Sequence, residues 1–287
     1  MDSPGAGPVR RLSVLSTGTV RIRPEHGHRT WRPLPLWLFA SRRWTPPLPI
    51  NVYVIQHENG LVLFDTGQHR RSVTDPDYYP GGAAGLVYRR LAEFAIAEDE
   101  TLPALLRAAG HEPDDVALAV ISHLHQDHMG GVLDIPQADL LVSRTEWDTS
   151  QRPGAEVNGY LREHIDAAGP RWHPVSLTPT SDPALAPFTA SHDVFGDGSL
   201  VVLPTPGHTA GSVSLLVRRQ GRPPVLLVGD LTFDAPQFDE DHLPGIGSHA
   251  ALRASTRAVE VFRRGHPGLA ICAAHDPAAA GILERSL

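Results

Sequence analysis

Apolar residues in this chain gather into short runs, and most of these runs end in a polar or glycine-rich turn. Residues 61–64, 116–121, 200–203, 213–217, 225–228 and 269–272 are continuous or nearly so in apolar character and rich in β-branched side chains. Runs of that length predict buried strands. Residues 12–22 alternate enough to predict a first strand. Residues 51–56 predict another, joined to 61–64 through Asn59-Gly60, a strong hairpin signal. Residues 139–143 read the same way. Helical spacing covers 83–97, 102–109, 144–150, 157–168 and 249–264, with Thr101 placed to open the second of these and Gly110 to stop it. Both halves of the chain put strands first and helices after. That order suits two sheets facing each other with helices outside.

Three stretches break the pattern. Residues 1–10 are rich in Pro and Gly and predict a disordered leader before a single domain over 11–287. Residues 169–198 are Pro-rich and polar, with no clear period. Residues 30–49 set Trp31, Trp37, Phe39 and Trp44 among Pro33, Pro35, Pro46, Pro47 and Pro49. Proline there is expected to exclude helix and central strand. A loop with three Trp must pack on something: either it caps the core edge, or it forms an apolar wall over a site.

Composition narrows the function classes. At 287 residues and 41% hydrophobic, the chain is long enough for a sizeable core. A net charge of −7 argues against a nucleic-acid binder. No lysine is present, so all 25 basic residues are arginine, which reads as the codon bias of a GC-rich genome. The single cysteine, Cys272, cannot form an internal disulfide. No apolar run approaches the ~18 residues that would span a membrane. These features predict a soluble, cytoplasmic protein that engages neither nucleic acid nor membrane.

Candidate chemistry concentrates in Ile121-Ser-His-Leu-His-Gln-Asp-His-Met-Gly-Gly131. His123 and His125, two residues apart on extended chain past a strand end, point the same way and can share one metal. Asp127 and His128 follow as the chain turns, and can face a second position. The two glycines are expected to let the backbone turn sharply. The bland alternative is a His-rich surface loop. Three further strands also deliver a candidate ligand at their C-terminal ends: His208, Asp230 and His275. Asp65, ending the strand 61–64, either orients a ligand imidazole or stabilises its own turn. The other eleven histidines read as solvated or structural, with His242 and His249 the candidates to face a substrate.

The chain resembles the metallo-β-lactamase-fold hydrolases. Asp65-Thr-Gly67, His123-x-His125-x-Asp127-His128, Pro206-Gly-His208-Thr-x-Gly211, Gly229-Asp230 and His275-Asp-Pro277 carry the likeness, in the family's order, over residues 50–280. The resemblance implies an α/β (α+β) fold, an αββα sandwich of two facing mixed sheets with outer helices. It implies two Zn2+ ions, with Fe, Co or Mn admitted in their place. His123, His125 and His208 would hold the first; Asp127, His128 and His275 the second; Asp230 would bridge both. Cys272 reads as a small buried hydrophobe rather than a ligand.

Within that superfamily the wording of residues 51–55, 63–67 and 122–128 is most similar to the acyl-homoserine lactonases, the quorum-quenching group. The implied activity is opening of a lactone, or cleavage of a carboxylic ester, by hydroxide generated between two ions that lower a water's pKa toward about 7. Asp127 and Asp230 would be its catalytic carboxylates. Phe233, Trp31, Trp37, Trp44 and His242 are the expected substrate contacts, and the loop near Trp172 could also receive an acyl chain. Those lactonases typically carry a Tyr three residues after the bridging Asp, and this chain has Phe233. A thioesterase, a phosphoesterase and a metal-binding sensor on the same fold are the alternatives. The partner is a small lactone or ester, and a homodimer is allowed.

Overall fold

The computed structural model describes residues 7–28, 30 and 34–286, and in it the apolar alternation sorts side chains onto the faces of two sheets. One holds β1 (Val9–Ile22), β2 (Leu48–His57), β3 (Gly60–Phe64), β4 (Ala92–Ala95), β5 (Val116–Val120), β6 (Asp139–Ser143) and β7 (Arg171–Val175), in the order β4-β1-β2-β3-β5-β6-β7. The other holds β8 (Thr178–Pro179), β9 (Ala190–Asp193), β10 (Leu200–Pro204), β11 (Val213–Val217), β12 (Val225–Leu227) and β13 (Ala270–Cys272), in the order β13-β12-β11-β10-β9-β8. Both are mixed: β3, β5, β6 and β7 run parallel, as do β12 and β13, while β1–β2–β3 and β10–β11–β12 are antiparallel.

Strand periodicity of two divides the core into layers. Tyr53, Ile55, Val62, Phe64 and Val120 of the first sheet meet Leu200, Val202, Leu215, Val217 and Leu227 of the second in a central apolar layer. Their neighbours Val52, Val54, Leu63 and Ala119 point outward, onto Leu102 and Leu106 of the helix Leu102–Ala108. Across the molecule, Val201, Leu203, Leu216 and Leu226 pack on Leu252, Val259 and Phe262, the buried stripe of the helix His249–Gly265. The layering is helix, sheet, sheet, helix, as the strand pattern and the resemblance imply. No helix among the described residues is long and apolar enough to cross a membrane.

Several expectations need correction. A helix, Leu34–Ala40, runs through the proline-rich stretch, because Pro35 sits in its first turn, where no backbone N–H is needed. Pro49 lies inside β2 but beyond a register shift in the β1–β2 ladder. The helix expected over 83–97 stops at Leu91, and β4 follows, pairing with β1 and placing Phe94 against Val20, Ile22 and Ile50. The one expected over 157–168 is reduced to single turns at Ala155–Asn158 and Arg162–Ile165. β7, β8 and β9 lie in the stretch without period; Pro174 and Pro179 interrupt their pattern. β1 begins at Val9, so the boundary expected after residue 10 falls inside a strand. A closing helix, Ala279–Ser286, was not foreseen; Ala279 and Leu283 join the central layer.

β3, β5, β10, β12 and β13 all end at one rim of the sandwich. Hydrogen bonds tie the sheets together there: Val213 N–H donates to the Ser122 carbonyl (3.0 Å), Asn51 N–H to that of Ala274 (2.8 Å), and the Tyr53 hydroxyl to that of Ala273 (2.6 Å). The Tyr53 bond lies in the core and spans the two sheets. Tyr53→Phe keeps the ring and removes the donor, and is expected to lower unfolding free energy by about 1–2 kcal/mol. Urea denaturation with an unchanged slope checks this; a shift under about 0.3 kcal/mol would show that the bond contributes little.

Candidate metal centre

Past β5 the chain stays extended, and His125 (φ −76°, ψ 153°) caps the one-turn helix Gln126–Met129. The extended segment presents His123 and His125 on one side, and the turn then brings Asp127 and His128 beside them. The following glycines do a different job from the one expected. Gly130 has an ordinary helical φ of −59°. A Cβ there would meet His69 N at 2.6 Å, and one on Gly131 would meet Thr66 O at 2.5 Å. They allow the segment to press against the Asp65-Thr66-Gly67 turn rather than to bend.

The seven expected donors converge. His123, His125 and His208 form one group of potential ligand atoms within 4.8 Å of one another; His123, His128 and Asp230 form a second; Asp127, His128 and His275 form a third. Asp230 stands between them. Its Oδ2 is 3.4 Å from His208 Nε2, and its Oδ1 is 3.3 Å from His128 Nε2 and 3.5 Å from His275 Nε2. Asp127 reaches the same histidines, 3.5 Å from His275 Nε2 and 3.9 Å from His128 Nε2.

Neighbouring acceptors decide which nitrogens are bare. His128 Nδ1 donates to Asp65 (2.9 Å) and His275 Nδ1 to the Pro49 carbonyl (2.9 Å), so each turns an unprotonated Nε2 inward. His125 Nε2 donates to the Asn158 carbonyl (3.0 Å), leaving Nδ1 bare. The Ser122 hydroxyl donates to Asp65 (2.9 Å) and accepts from His123 Nδ1 (3.0 Å), which leaves His123 Nε2 bare. His123 Nε2 and His125 Nδ1 then face each other at 3.0 Å, and His208 Nε2 approaches the same His125 atom at 3.0 Å. The lone pairs of His123 Nε2 and His125 Nδ1 repel at that distance unless a cation lies between them. Imidazoles bound about 2.0–2.1 Å from a tetrahedral zinc ion place their nitrogens roughly 3.3 Å apart. The buried His128 Nε2 and Asp230 Oδ1 also lack hydrogen-bond partners. The residues fit a pair of divalent metal ions.

Electrostatics agree. Burial, reinforced by neighbouring imidazoles, holds His123 well below its ordinary value; burial does the same to His208, against the pull of Asp230. Burial opposes ionisation of Asp230, but His128 and His275 outweigh it and hold the carboxyl well below the usual range. His128 is the exception: burial opposes its charge, but Asp230 and Asp65 prevail and raise it well above its ordinary value, so a cation arriving there displaces a proton from Nε2.

Two supports were legible only in part. Asp65 is 1% exposed and spends its carboxylate on the Ser122 N–H (2.7 Å), the Ser122 hydroxyl and His128, not on its own turn. Its φ of +61° makes it the one non-glycine residue at positive φ among the described residues. Such a backbone costs roughly 1–2 kcal/mol, which the buried hydrogen bonds offset. Glu146, fully buried, was missed altogether. Its Oε1 accepts from Leu124 N–H (2.9 Å), between His123 and His125. Its Oε2 accepts from the Thr209 hydroxyl (2.7 Å) and Gly211 N–H (3.0 Å), just past His208. One carboxylate thus clamps both loops of the first group. A lone Glu in a short helix carries no sequence signal for this. Gly159 serves the same group: a Cβ there would lie 2.5 Å from His125 Nε2, and its φ is +96°.

The expected substrate contacts divide. Phe233 lies over the centre, its ring 5.5 Å from that of His275 and 6.4 Å from that of His208. Trp37 is buried. Trp44 lies under the Arg23 guanidinium (3.6 Å) and lines a surface cavity of about 580 Å3 with Phe39, Arg42, Arg89 and Arg90, none of them a donor of the centre. His242 bonds Asp239 in its own loop (2.7 Å). Trp172 packs on Trp147 in the outer core. Trp31 lies outside the described residues. His26, read as an ordinary histidine, sits beside Phe233 and His208, at 5.9 and 6.3 Å between ring centroids.

The Glu146 clamp is testable. Glu146→Gln puts an N–H2 where an acceptor is needed and is expected to weaken metal affinity about 10–100-fold. Calorimetric titration of the stripped protein reads this directly; affinity within about twofold of wild type would remove the clamp from the site.

Residues 45–275 match the family model described as the Metallo-beta-lactamase superfamily. The N-acyl homoserine lactonase AttM of Rhizobium johnstonii is 31% identical over 279 residues, covering 96% of this chain and 97% of that protein. The protein of the same name from Rhizobium radiobacter is 30% identical, covering 93% of each. Among solved structures, an N-acyl homoserine lactone hydrolase with N-hexanoyl-L-homoserine at its catalytic metal centre superposes with a TM-score of 0.74 at 21% identity, over 97% of this chain and 96% of that one. AidC, a dizinc quorum-quenching lactonase, gives 0.64 at 17% identity, over 96% and 92%. With the layered fold and the converging donors, these matches establish that the chain belongs to the metallo-beta-lactamase superfamily and is a metal-dependent hydrolase.

Proposed function

We propose that this protein holds two zinc ions and opens the ring of N-acyl-homoserine-lactone-type substrates, adding one water to give the open hydroxy acid. The observation that carries the reading is the complete donor set with Asp230 shared between its groups, in a chain that aligns end to end with proteins named as lactonases. His123, His125 and His208 would hold one ion, Asp127, His128 and His275 the other, and Asp230 both. Bound there, the pair supplies a water acidified toward neutral pH and a Lewis acid for the substrate carbonyl.

The chain's own groups then divide the work. Asp230, 6% exposed and kept ionised by the histidines around it, fixes the spacing of the two positions. Asp127, with its side chain 18% exposed, is the carboxylate that reaches solvent. It is placed to hold the attacking water, take its proton and pass it outward to the leaving oxygen. Asp65 and Pro49, by fixing the Nδ1 protons of His128 and His275, keep those rings from rotating away. Phe233 covers the centre, excludes bulk water and offers the acyl portion an apolar contact, but it has no proton to donate.

Purified protein loaded with zinc, assayed against acyl-homoserine lactones of several chain lengths, an aryl ester, a glutathione thioester and a phosphodiester, tests the substrate. The lactones are expected to give the highest kcat/KM; preference for the thioester or phosphodiester would sink the lactonase reading. His208→Ala and Asp230→Asn are each expected to lower kcat at least about 10³-fold and to reduce bound metal, measured by plasma mass spectrometry. Full turnover by chelator-stripped protein would end the metal-dependent account. Phe233→Tyr is expected to keep or raise lactonase kcat.

A further inference from the structure

We infer that His26 is a substrate-contacting residue of this centre, donating a hydrogen bond to the carbonyl oxygen of the bound ester or lactone. The inference rests on the hydrolytic reading above and assigns a group to the one function that Phe233 cannot perform.

His26 stands in a single turn, Pro24–Gly27, four residues past the end of β1, which runs parallel to β3 and so ends at the same rim. Its ring lies 6.3 Å from that of His208, nearly parallel at 20°, and 5.9 Å from that of Phe233, edge-on at 80°. His26 and Phe233 therefore form a two-ring cover, with His26 on the His208 side and Phe233 leaning toward His275. His26 is nonetheless in none of the three ligand groups.

One atom marks it as a binding group. Nδ1 of His26 is buried and has no hydrogen-bond partner. A buried polar atom without a partner costs free energy on the order of 1–3 kcal/mol, and such atoms in native proteins call for an explanation. The surroundings do not relax the ring; they fix its backbone. His26 N–H donates to the Arg23 carbonyl, and Gly245 N–H donates to the His26 carbonyl, both at 2.8 Å. Arg23 is held in turn on the Trp44 face and by the carbonyls of Arg43 (3.1 Å) and Arg90 (3.2 Å). Glu25, next to His26, is gripped by Arg43 at 2.8 Å. A turn so heavily anchored, carrying an unmatched nitrogen beside the metal ligands, is built to meet something that arrives.

A substrate carbonyl over the first group of histidines lies next to His26. As water adds to the carbonyl carbon, the C=O π pair moves onto oxygen and that oxygen gains negative charge. A neutral imidazole keeps one N–H, and its hydrogen bond strengthens as the charge grows. No proton leaves His26. The ring C–O bond then breaks, and the leaving alkoxide takes its proton from Asp127, so lactone and water balance with hydroxy acid.

The test uses zinc-loaded protein and whichever acyl substrate the unmodified enzyme cleaves in the panel above. Failure on lactones therefore removes the substrate reading alone, and the donor is judged on the remaining ester or thioester. His26→Phe is expected to lower kcat on the order of 10²-fold, with KM within about threefold and bound metal and thermal midpoint unchanged. His26→Gln, which retains an N–H, is expected to recover part of the loss. In a Phe233→Tyr background, where a hydroxyl enters the cover, the His26→Phe loss is expected to shrink to under about tenfold. Unchanged kcat in His26→Phe, a fall in bound metal that accounts for the loss, or the same loss in both backgrounds would each overturn the assignment.

Discussion

Four imidazole nitrogens without protons, aimed into one small volume, are the condition that the rest of this molecule has to maintain. Left to themselves they would turn their N–H groups inward or rotate away. Each is prevented by an acceptor placed behind it: Asp65 behind His128 and, through Ser122, behind His123; the Asn158 carbonyl behind His125; the Pro49 carbonyl behind His275. Those acceptors come from different strands and loops. The repulsion at the centre is therefore held in check by the packing of the whole sandwich, and a cation relieves it.

The support is layered. The outer helices and the two sheets bury the apolar faces, which fixes where five strands end. Rim hydrogen bonds from Asn51, Tyr53 and Val213 lock the sheets in register with each other. Glu146 then fastens the loop after β5 to the loop after β10, and Asp65 tolerates an unfavourable backbone to serve two histidines at once. A carboxylate buried in this way is stable only when every lone pair is met, and in Glu146 and Asp65 the partners are backbone N–H groups, hydroxyls and an imidazole.

Much of the fold and the donor set was legible because both depend on local pattern. A buried strand announces itself by apolar runs, and each donor of the centre stands just beyond such a run or in the dense 123–128 cluster. What escaped has no local pattern. Leu34–Ala40 was hidden because proline at the start of a helix is harmless, and β4 because four residues after a helix look like more helix. Asp65 was ambiguous because a turn and a ligand support use the same residue. Glu146 reaches the centre through tertiary placement alone, from a short helix, whereas His26 stands just past β1 and as a lone histidine gave no signal. Trp44 and His242 had the right chemistry for a substrate wall but found other partners, Arg23 and Asp239.

The close spacing of His123, His125, Asp127 and His128 has a consequence for folding. Four of the seven donors lie within six residues, so an unfolded chain already carries a passable chelating segment. A ligand stabilises a native state only by the difference between its affinities for folded and unfolded forms. Metal captured early by this segment contributes nothing to that difference. In the proposed two-metal state the thermodynamic gain from loading would come instead from His208, Asp230 and His275, which can join only after both sheets have assembled. These three distant residues would turn a local chelator into an ion-dependent lock on the finished fold.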